Sequence, residues 1–79
     1  MSDAADPLMS AVEDTIASNP RQVEDWLANR PGAWGFLAGQ GILAYQNRIG
    51  QRLIETQRRQ LWSVLWTALE QQKRLRPPS

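Results

Sequence analysis

The chain has 79 residues, a net charge of +1, and neither cysteine nor histidine. This length allows one small domain, and the missing residue types exclude disulfides, thiolate nucleophiles, imidazole bases and the usual zinc ligands. We therefore expect a protein that is not an enzyme and that needs no cofactor or metal.

Charge is distributed unevenly along the chain. Residues 1–40 carry six acids and two arginines, a net charge of −4, whereas residues 41–79 carry seven bases and two acids, a net charge of +5. This polarity suits an anionic partner at one end, and it suits equally two halves that pack against each other. The acidic start lacks the basic and then apolar order of a signal peptide, so we expect a cytoplasmic protein.

The first predicted helix follows a short N-terminal segment, residues 1–5, which we expect to be disordered. Asp6 is a favoured N-cap residue and Pro7 a favoured first residue of a helix. The apolar residues of this helix recur at a spacing of four and so share one face: Leu8, Val12 and Ile16.

A second, shorter helix is predicted over residues 20–30. Asn19 is expected to end the first helix and to cap the second, because Pro20 suits a first turn. Pro31 disfavours helical geometry at the preceding residue and marks the far boundary. The apolar side chains share one face: Val23, Trp26 and Leu27.

Residues 33–45 carry no charge and are apolar around most of the helical wheel. A helix of this kind lies either in lipid or at the centre of a bundle. Thirteen residues are too few for a membrane span, which needs about 20. We therefore expect no membrane segment, and a central helix over residues 32–49.

Two glycines of this predicted helix, Gly35 and Gly39, lie four residues apart and therefore on one face. Each glycine costs a helix about 1 kcal/mol relative to alanine, so a compensating contact is expected. Without Cβ atoms the pair forms a groove into which a neighbouring helix can sink. We expect a large side chain, such as a tryptophan, to pack there.

Gly50 and the polar run "ETQRRQ" predict a break before the last helix, which we expect to start near Thr56 and to stop at Pro77. Residues 76–79 are then a flexible tail. The core face of this helix is predicted from five apolar residues: Leu61, Val64, Leu65, Ala68 and Leu69. Residues 6–75 thus form a single domain, an all-α bundle of three to four helices around the glycine-bearing central helix.

Two tryptophans, Trp62 and Trp66, widen the apolar arc of the last helix to roughly half the wheel, more than one packed face requires. Tryptophan is a frequent anchor at protein interfaces. We therefore name Trp66, with Trp62 beside it, as the candidate contact for a partner protein or for a second copy of this chain. Trp26, Trp34 and Trp62 are also expected to fill the core of so small a bundle.

Residues 19–40, "NPRQVEDWLANRPGAWGFLAGQ", resemble the tail domain of the B subunit of the bacterial tRNA-dependent amidotransferase, which the YqeY proteins share (the GatB/YqeY domain). An Asn-Pro, a Val followed by acidic residues and an aromatic, and an Ala-x-Gly-Phe-Leu-x-Gly-Gln signature carry the resemblance: Asn19, Pro20, Val23, Glu24, Asp25, Trp26, Ala33, Gly35, Phe36, Leu37, Gly39 and Gln40. The resemblance implies an all-helical domain that helps an enzyme hold the elbow of tRNA, with the catalytic chemistry in other domains and subunits.

The chain departs from this family after Gln40, where the usual lysines and a second Asn-Pro are missing. Four arginines around the predicted bend before the last helix can replace part of the lost positive charge and contact phosphate: Arg48, Arg52, Arg58 and Arg59. The alternative for these residues is a solvated helix face.

Two functions therefore stay open. The first is a non-catalytic interaction or regulatory module that docks on a larger cytoplasmic protein through its last helix. The second is a tRNA-binding accessory module that contacts phosphate through the four arginines. We favour the first, because the residues that would face RNA in the family are the ones missing here.

Overall fold

Four α-helices form most of the chain described by the computed structural model, residues 6–75. They are α1 (Pro7–Ser18), α2 (Pro20–Leu27), α3 (Ala33–Ile49) and α4 (Glu55–Leu75). This architecture confirms the predicted all-α bundle, and α3 contacts each of the other three helices. The predicted disordered start at residues 1–5, the stop at Pro77 and the tail at residues 76–79 lie outside the described residues.

The start of α1 is capped as predicted. The Asp6 carboxylate accepts hydrogen bonds from the backbone N–H groups of Leu8 and Met9, at 3.1 and 3.3 Å. Pro7 occupies the first turn, where its missing N–H would have no partner within the helix. The helix then buries one face against the core: Ala11, Val12 and Thr15.

Asn19 separates α1 from α2, but its side chain caps the first helix rather than the second. Its backbone is not in the extended conformation typical of an N-cap, so its side chain does not reach the first turn of α2. The Asn19 amide instead donates to the Thr15 carbonyl oxygen at 2.8 Å. That carbonyl is one of the four left open at the C-terminal end of α1. The predicted boundary is confirmed. Asn19 also takes the predicted N-cap position of α2, where its carbonyl oxygen accepts from the Val23 N–H at 3.1 Å, but its side chain makes no capping bond there.

The second helix ends at Leu27, three residues before the predicted end at residue 30. Asn29 has a φ of 61°, a left-handed conformation that asparagine adopts more readily than most residues. The Arg30 N–H then donates to the Asp25 carbonyl oxygen at 2.9 Å. This arrangement is a Schellman motif with asparagine in the position that glycine usually takes. The motif, and not Pro31, therefore ends the helix.

The leucine face of α4 forms the centre of the core. Leu61, Leu65 and Leu69 are fully buried, and each such side chain contributes about 1.5–3 kcal/mol by leaving water. Val12 of α1 and Leu37 of α3 pack into the same cluster. The predicted core face of α4 is confirmed, with its remaining members at the margin of the cluster: Val64 and Ala68.

One face of α3 is open to solvent. Phe36 is 43% exposed and Leu43 is 55% exposed, so the expectation of a helix covered on every side is wrong for this face. Helix α3 is central because its other sides meet α1, α2 and α4. Within residues 6–75 no helix combines the length and the apolar character needed to cross a lipid bilayer.

The predicted groove at Gly35 and Gly39 opens towards solvent and holds no neighbouring helix. A Cβ atom added at either position would meet no atom within 4 Å. The glycine at the helix crossing is Gly41, where a Cβ would lie 3.5 Å from Leu61 Cδ2 and 3.7 Å from Leu65 Cδ2. Gly39 and Gly41 are separated by about 200° around the helix axis, so the face with the two spaced glycines is not the face that packs.

The turn between α3 and α4 is made by Gly50, whose φ is 73°. The Gln57 side chain then accepts a hydrogen bond from the Ile54 N–H at 3.0 Å, the return bond of a capping box. Helix α4 therefore begins at Glu55, one residue before the predicted Thr56.

These contacts predict opposite effects for two glycine substitutions in α3. We expect Gly39→Ala to raise the free energy of unfolding by about 0.5–1 kcal/mol, because an exposed interior helix position gains propensity without a new contact. We expect Gly41→Leu to lower it by about 1–3 kcal/mol, because the added atoms overlap the leucines of α4. Urea denaturation followed by circular dichroism measures both. A Gly39→Ala variant less stable than wild type would contradict the solvent-facing groove.

Candidate functional site

A cluster of three indole rings lies where α2, α3 and α4 meet. The ring centroid of Trp66 is 5.2 Å from that of Trp26 and 5.2 Å from that of Trp34, with interplanar angles of 89° and 79°. Edge-to-face pairs of this geometry contribute about 0.5–1.5 kcal/mol each beyond the burial of their area. Trp66 nevertheless stays 46% exposed. A large aromatic surface is thus held in place by two neighbours and open on one side.

These rings form one wall of an open depression of about 340 Å³, which we call the tryptophan cleft. The remaining walls come from the connection at residues 29–32 and from Glu70 and Lys73 of α4. The lining combines three indole rings with three charged side chains: Arg30, Glu70 and Lys73. Protein interfaces likewise combine an apolar core with a polar rim.

The short connection between α2 and α3 brings two of the rings together. Trp26 is the last residue but one of α2, and Trp34 is the second residue of α3. Between them Asn29 and Gly32 both have positive φ angles, 61° and 89°, so the chain reverses sharply. Gly32 can take this conformation without strain because it has no Cβ.

The third side of the cleft is one face of α4. Trp66, Glu70 and Lys73 follow each other at spacings of four and three residues, which places them side by side on a helix. Glu70 and Lys73 form no ion pair within residues 6–75. Arg30 at the opposite edge is 3.6 Å from Asp25, with both side chains largely exposed, and a pair of this kind adds little stability.

Trp62 is separate from this cleft. It is half-buried and packs against the core cluster, and its indole nitrogen is enclosed without a hydrogen-bond partner among residues 6–75. The two tryptophans on α4 are four residues apart, yet only Trp66 lines the cleft. The predicted role of Trp62 in the core agrees with the structure, and its role in docking stays a prediction.

Arg48 joins α3 to α1 through contacts of its guanidinium. Its guanidinium forms an ion pair with Asp14 and donates to the Ser10 hydroxyl at 2.9 Å and to the Ala44 carbonyl at 3.3 Å. The pair links the acidic half of the chain to the basic half, one of the two outcomes that the charge asymmetry allowed. Three of its five N–H donors therefore already have protein acceptors.

The other three candidate arginines differ in how far they are engaged. Arg59 pairs with Glu55 one turn earlier on α4, at 2.9 Å, and both side chains are mostly exposed. Arg52 and Arg58 are exposed and form no ion pair within the described part of the chain. Two of the four arginines are thus available without breaking an existing contact.

Two pairs of carboxylates are adjacent in sequence, Glu13 with Asp14 in α1 and Glu24 with Asp25 in α2. Asp14 pairs with Arg48 and Asp25 with Arg30, so one carboxylate of each pair already has an arginine partner. Across residues 6–75, no three His, Cys, Asp or Glu side chains come together in a way that could hold a metal ion. No acid–base arrangement follows from these contacts.

No protein-family model, curated protein or solved structure matches this chain. The resemblance of residues 19–40 to the amidotransferase tail domain therefore stays a prediction.

The sequence reading missed most of the cleft around Trp66. Trp26 and Trp34 pack against the core cluster, as expected, but each is only half-buried and also lines the cleft. A local signal was available, because a connection of five residues between two helices brings their adjoining ends together. Trp26 and Trp34 stand at those ends. The closeness of Trp66 depends on helix packing and has no local signal.

The engagement of Arg48 predicts a difference among the bend arginines. We expect Arg48→Ala to lower the free energy of unfolding by about 0.5–1.5 kcal/mol, since it removes an ion pair and a hydrogen bond between helices. Arg52→Ala and Arg58→Ala serve as matched controls and should change it by less than about 0.5 kcal/mol. Urea unfolding of the three variants measures this, and equal changes for all three would contradict a structural role for Arg48.

Proposed function

We propose that this domain is a non-catalytic interaction module that docks on a larger cytoplasmic protein through the tryptophan cleft. The observation that carries the proposal is Trp66, held between two other indoles and 46% exposed. Interface hot spots are enriched in tryptophan and lie in packed apolar pockets with a less critical surround.

The make-up of the cleft supports a protein ligand. Its centre offers the flat apolar surface of Trp66, which can take up an apolar side chain. Its rim offers both signs of charge, from Glu70 and from Lys73, which can fix the orientation of a bound segment. Because Trp26 and Trp34 already hold the ring of Trp66, little side-chain entropy is lost on binding, and a preorganised surface binds more tightly for that reason.

The residue types of the chain and the ion pairs of its carboxylates support a role without catalysis. The chain has no histidine or cysteine, and Asp14 and Asp25 are paired with arginines. The resemblance to a tail domain points the same way, because in that family the chemistry belongs to other domains. A module that positions a larger enzyme or its substrate is consistent with both points.

A tRNA-binding accessory role is the second candidate, and Arg52 and Arg58 are the residues that favour it. Both are exposed and without an ion-pair partner within residues 6–75. The candidate is weaker than docking because Arg48 and Arg59 already contact carboxylates. Breaking these two ion pairs would cost free energy and would lower the net affinity for phosphate.

Site-specific photocrosslinking tests the docking proposal. A photoreactive phenylalanine derivative replaces Trp66, and in a matched control it replaces Phe36, an aromatic of similar exposure at 43% that does not line the cleft. We expect the Trp66 position alone to yield one protein adduct, identified by mass spectrometry, in cells that produce the chain. Equal adducts at both positions, or an adduct only with a second copy of the chain, would contradict docking on a larger protein.

The purified partner then allows the strength of the contact to be measured by calorimetry. We expect Trp66→Ala to weaken binding by at least about 30-fold, the loss typical of a hot spot. Lys73→Glu, at an exposed position of the cleft, should weaken binding less than Trp66→Ala and should leave the fold unchanged. This variant therefore tests the cleft even if Trp66→Ala is unstable. Arg52→Ala is the control outside the cleft and should bind as wild type does.

The tRNA candidate has its own measurement. Fluorescence anisotropy with labelled total tRNA, at about 50 and about 200 mM salt and with duplex DNA as the control, separates specific binding from general charge attraction. Under docking we expect no preference for tRNA over DNA. Micromolar binding that prefers tRNA, survives the higher salt and loses about one unit of salt slope in Arg52→Ala would favour the second candidate.

A further inference from the structure

We propose that the tryptophan cleft recognises an arginine side chain of its partner, whose guanidinium stacks on the Trp66 indole and donates hydrogen bonds to the Glu70 carboxylate. The inference rests on the proposed function of the cleft, and it names the chemical class of side chain that the cleft accepts. Its test needs no partner protein, so its failure leaves docking on a larger protein standing.

The first argument is the aromatic surface. The face of an indole ring attracts a cation, and tryptophan does so more strongly than the other aromatic residues. Trp66 is 46% exposed, so part of its ring is open to such a contact. Trp26 and Trp34 form edge-to-face pairs with it, at centroid distances of 5.2 Å, and hold the ring in place. The cleft therefore offers a fixed aromatic surface to an incoming cation.

The second argument is the state of Glu70. This residue is half-buried and lines the cleft one helical turn beyond Trp66. Among residues 6–75 its carboxylate forms neither an ion pair nor a hydrogen bond. A charged group that is partly removed from water and has no partner has lost hydration without compensation. A cationic ligand supplies the partner that the described helices do not provide.

The third argument is the balance of charge near Trp66. Each residue of a helix rises about 1.5 Å, so Glu70 lies about 6 Å and Lys73 about 10.5 Å along α4 from Trp66. The more distant charge of Lys73 is exposed, and salt screens such charges over about 8 Å. Arg30, the other cation of the lining, lies 3.6 Å from Asp25, which offsets its charge. Of the charged residues of α4 that line the cleft, the one nearest to Trp66 is therefore negative.

Two cations of the chain itself stand close to Glu70 in sequence. Lys73 and Arg74 follow it at spacings of three and four residues, which allow ion pairs on a helix. Neither of them forms such a pair in the described part of the chain. Exposed pairs at these spacings contribute little free energy, so a guanidinium that also stacks on Trp66 can compete with either side chain.

The fourth argument selects arginine among the cations. A guanidinium is planar and more weakly hydrated than an ammonium group, so it can stack on a ring and donate to a carboxylate at the same time. The apolar stem of arginine can cover further aromatic surface. The cleft is an open depression, which suits a flat group. Lys73, further along α4, is then placed to contact an acidic residue elsewhere in the bound segment.

Titration with a blocked arginine, N-acetyl-arginine methylamide, tests the proposal with the full chain. The signals followed are the indole N–H groups of the four tryptophans in ¹⁵N-labelled protein. Trp62, which does not line the cleft, is the internal reference. The matched ligand is the equally blocked citrulline, which has nearly the same shape and no charge. Its titration includes sodium chloride, so that the ionic strength is the same for both ligands.

Two variants of the protein separate a contact with Glu70 from general charge attraction. Glu70→Gln removes one negative charge from the cleft. Glu13→Gln removes the same charge from an exposed position of α1 that does not line the cleft. The comparison of arginine with citrulline uses the wild-type protein, so it tests the proposal even if a variant is unstable.

We expect the blocked arginine to shift the Trp66 signal and to leave that of Trp62 unchanged. It should bind at least about tenfold more tightly than citrulline, which offers neither a cation for the indole nor a charged donor for the carboxylate. Glu70→Gln should weaken arginine binding at least about threefold, because a charge-assisted hydrogen bond is lost. Glu13→Gln should leave it nearly unchanged.

Three outcomes would overturn the proposal. Equal binding of arginine and citrulline would show that the cleft does not select a cation. Equal weakening by Glu70→Gln and Glu13→Gln would show attraction by net charge alone. A Trp66 signal that does not move up to the solubility limit of the arginine ligand would show that the cleft does not bind this side chain.

Discussion

The close approach of α3 and α4 at Gly41 is the constraint on which the rest of the structure depends. A single hydrogen in place of a side chain lets the methyl groups of Leu61 and Leu65 lie against the backbone of α3. A Cβ at this position would already lie 3.5–3.7 Å from these methyl groups, at van der Waals contact, so a larger side chain would push the two helices apart. With glycine at this position, the fully buried leucines of α4 share one core with α1 and α3.

The same approach creates the candidate site. Trp66 is the residue after Leu65, so the leucine contact with α3 carries the indole to the edge of the core and against Trp34. The connection between α2 and α3 contains two residues in the left-handed conformation, Asn29 and Gly32, and it brings Trp26 to the other side of the Trp66 ring. The two edge-to-face contacts of Trp66 stabilise the bundle, whereas the exposed part of its ring remains open to a ligand. This is why we interpret it as a binding surface.

The arginines near the turn between α3 and α4 differ in their ion-pair contacts. Arg48 links the two oppositely charged halves of the chain through Asp14, whereas Arg52 and Arg58 remain in solvent without an ion pair in the described chain. The basic half is therefore partly consumed in holding the bundle together. The engagement of Arg48 leaves fewer arginines for phosphate binding, and for this reason we favour the tryptophan cleft as the binding surface.

Local patterns determined the helices of this protein, and tertiary structure decided its surfaces. Asp6 with Pro7, Gly50, and the spacing of Leu61, Leu65 and Leu69 predict ends and a core face correctly, because capping and helical periodicity depend on neighbours in sequence. The packing role of the glycines, the engagement of Arg48 and the closeness of Trp66 to the other two indoles were not predictable in this way. Each depends on which face of a helix meets another helix, and a face that is apolar nearly all round, like that of α3, carries no local signal for that choice.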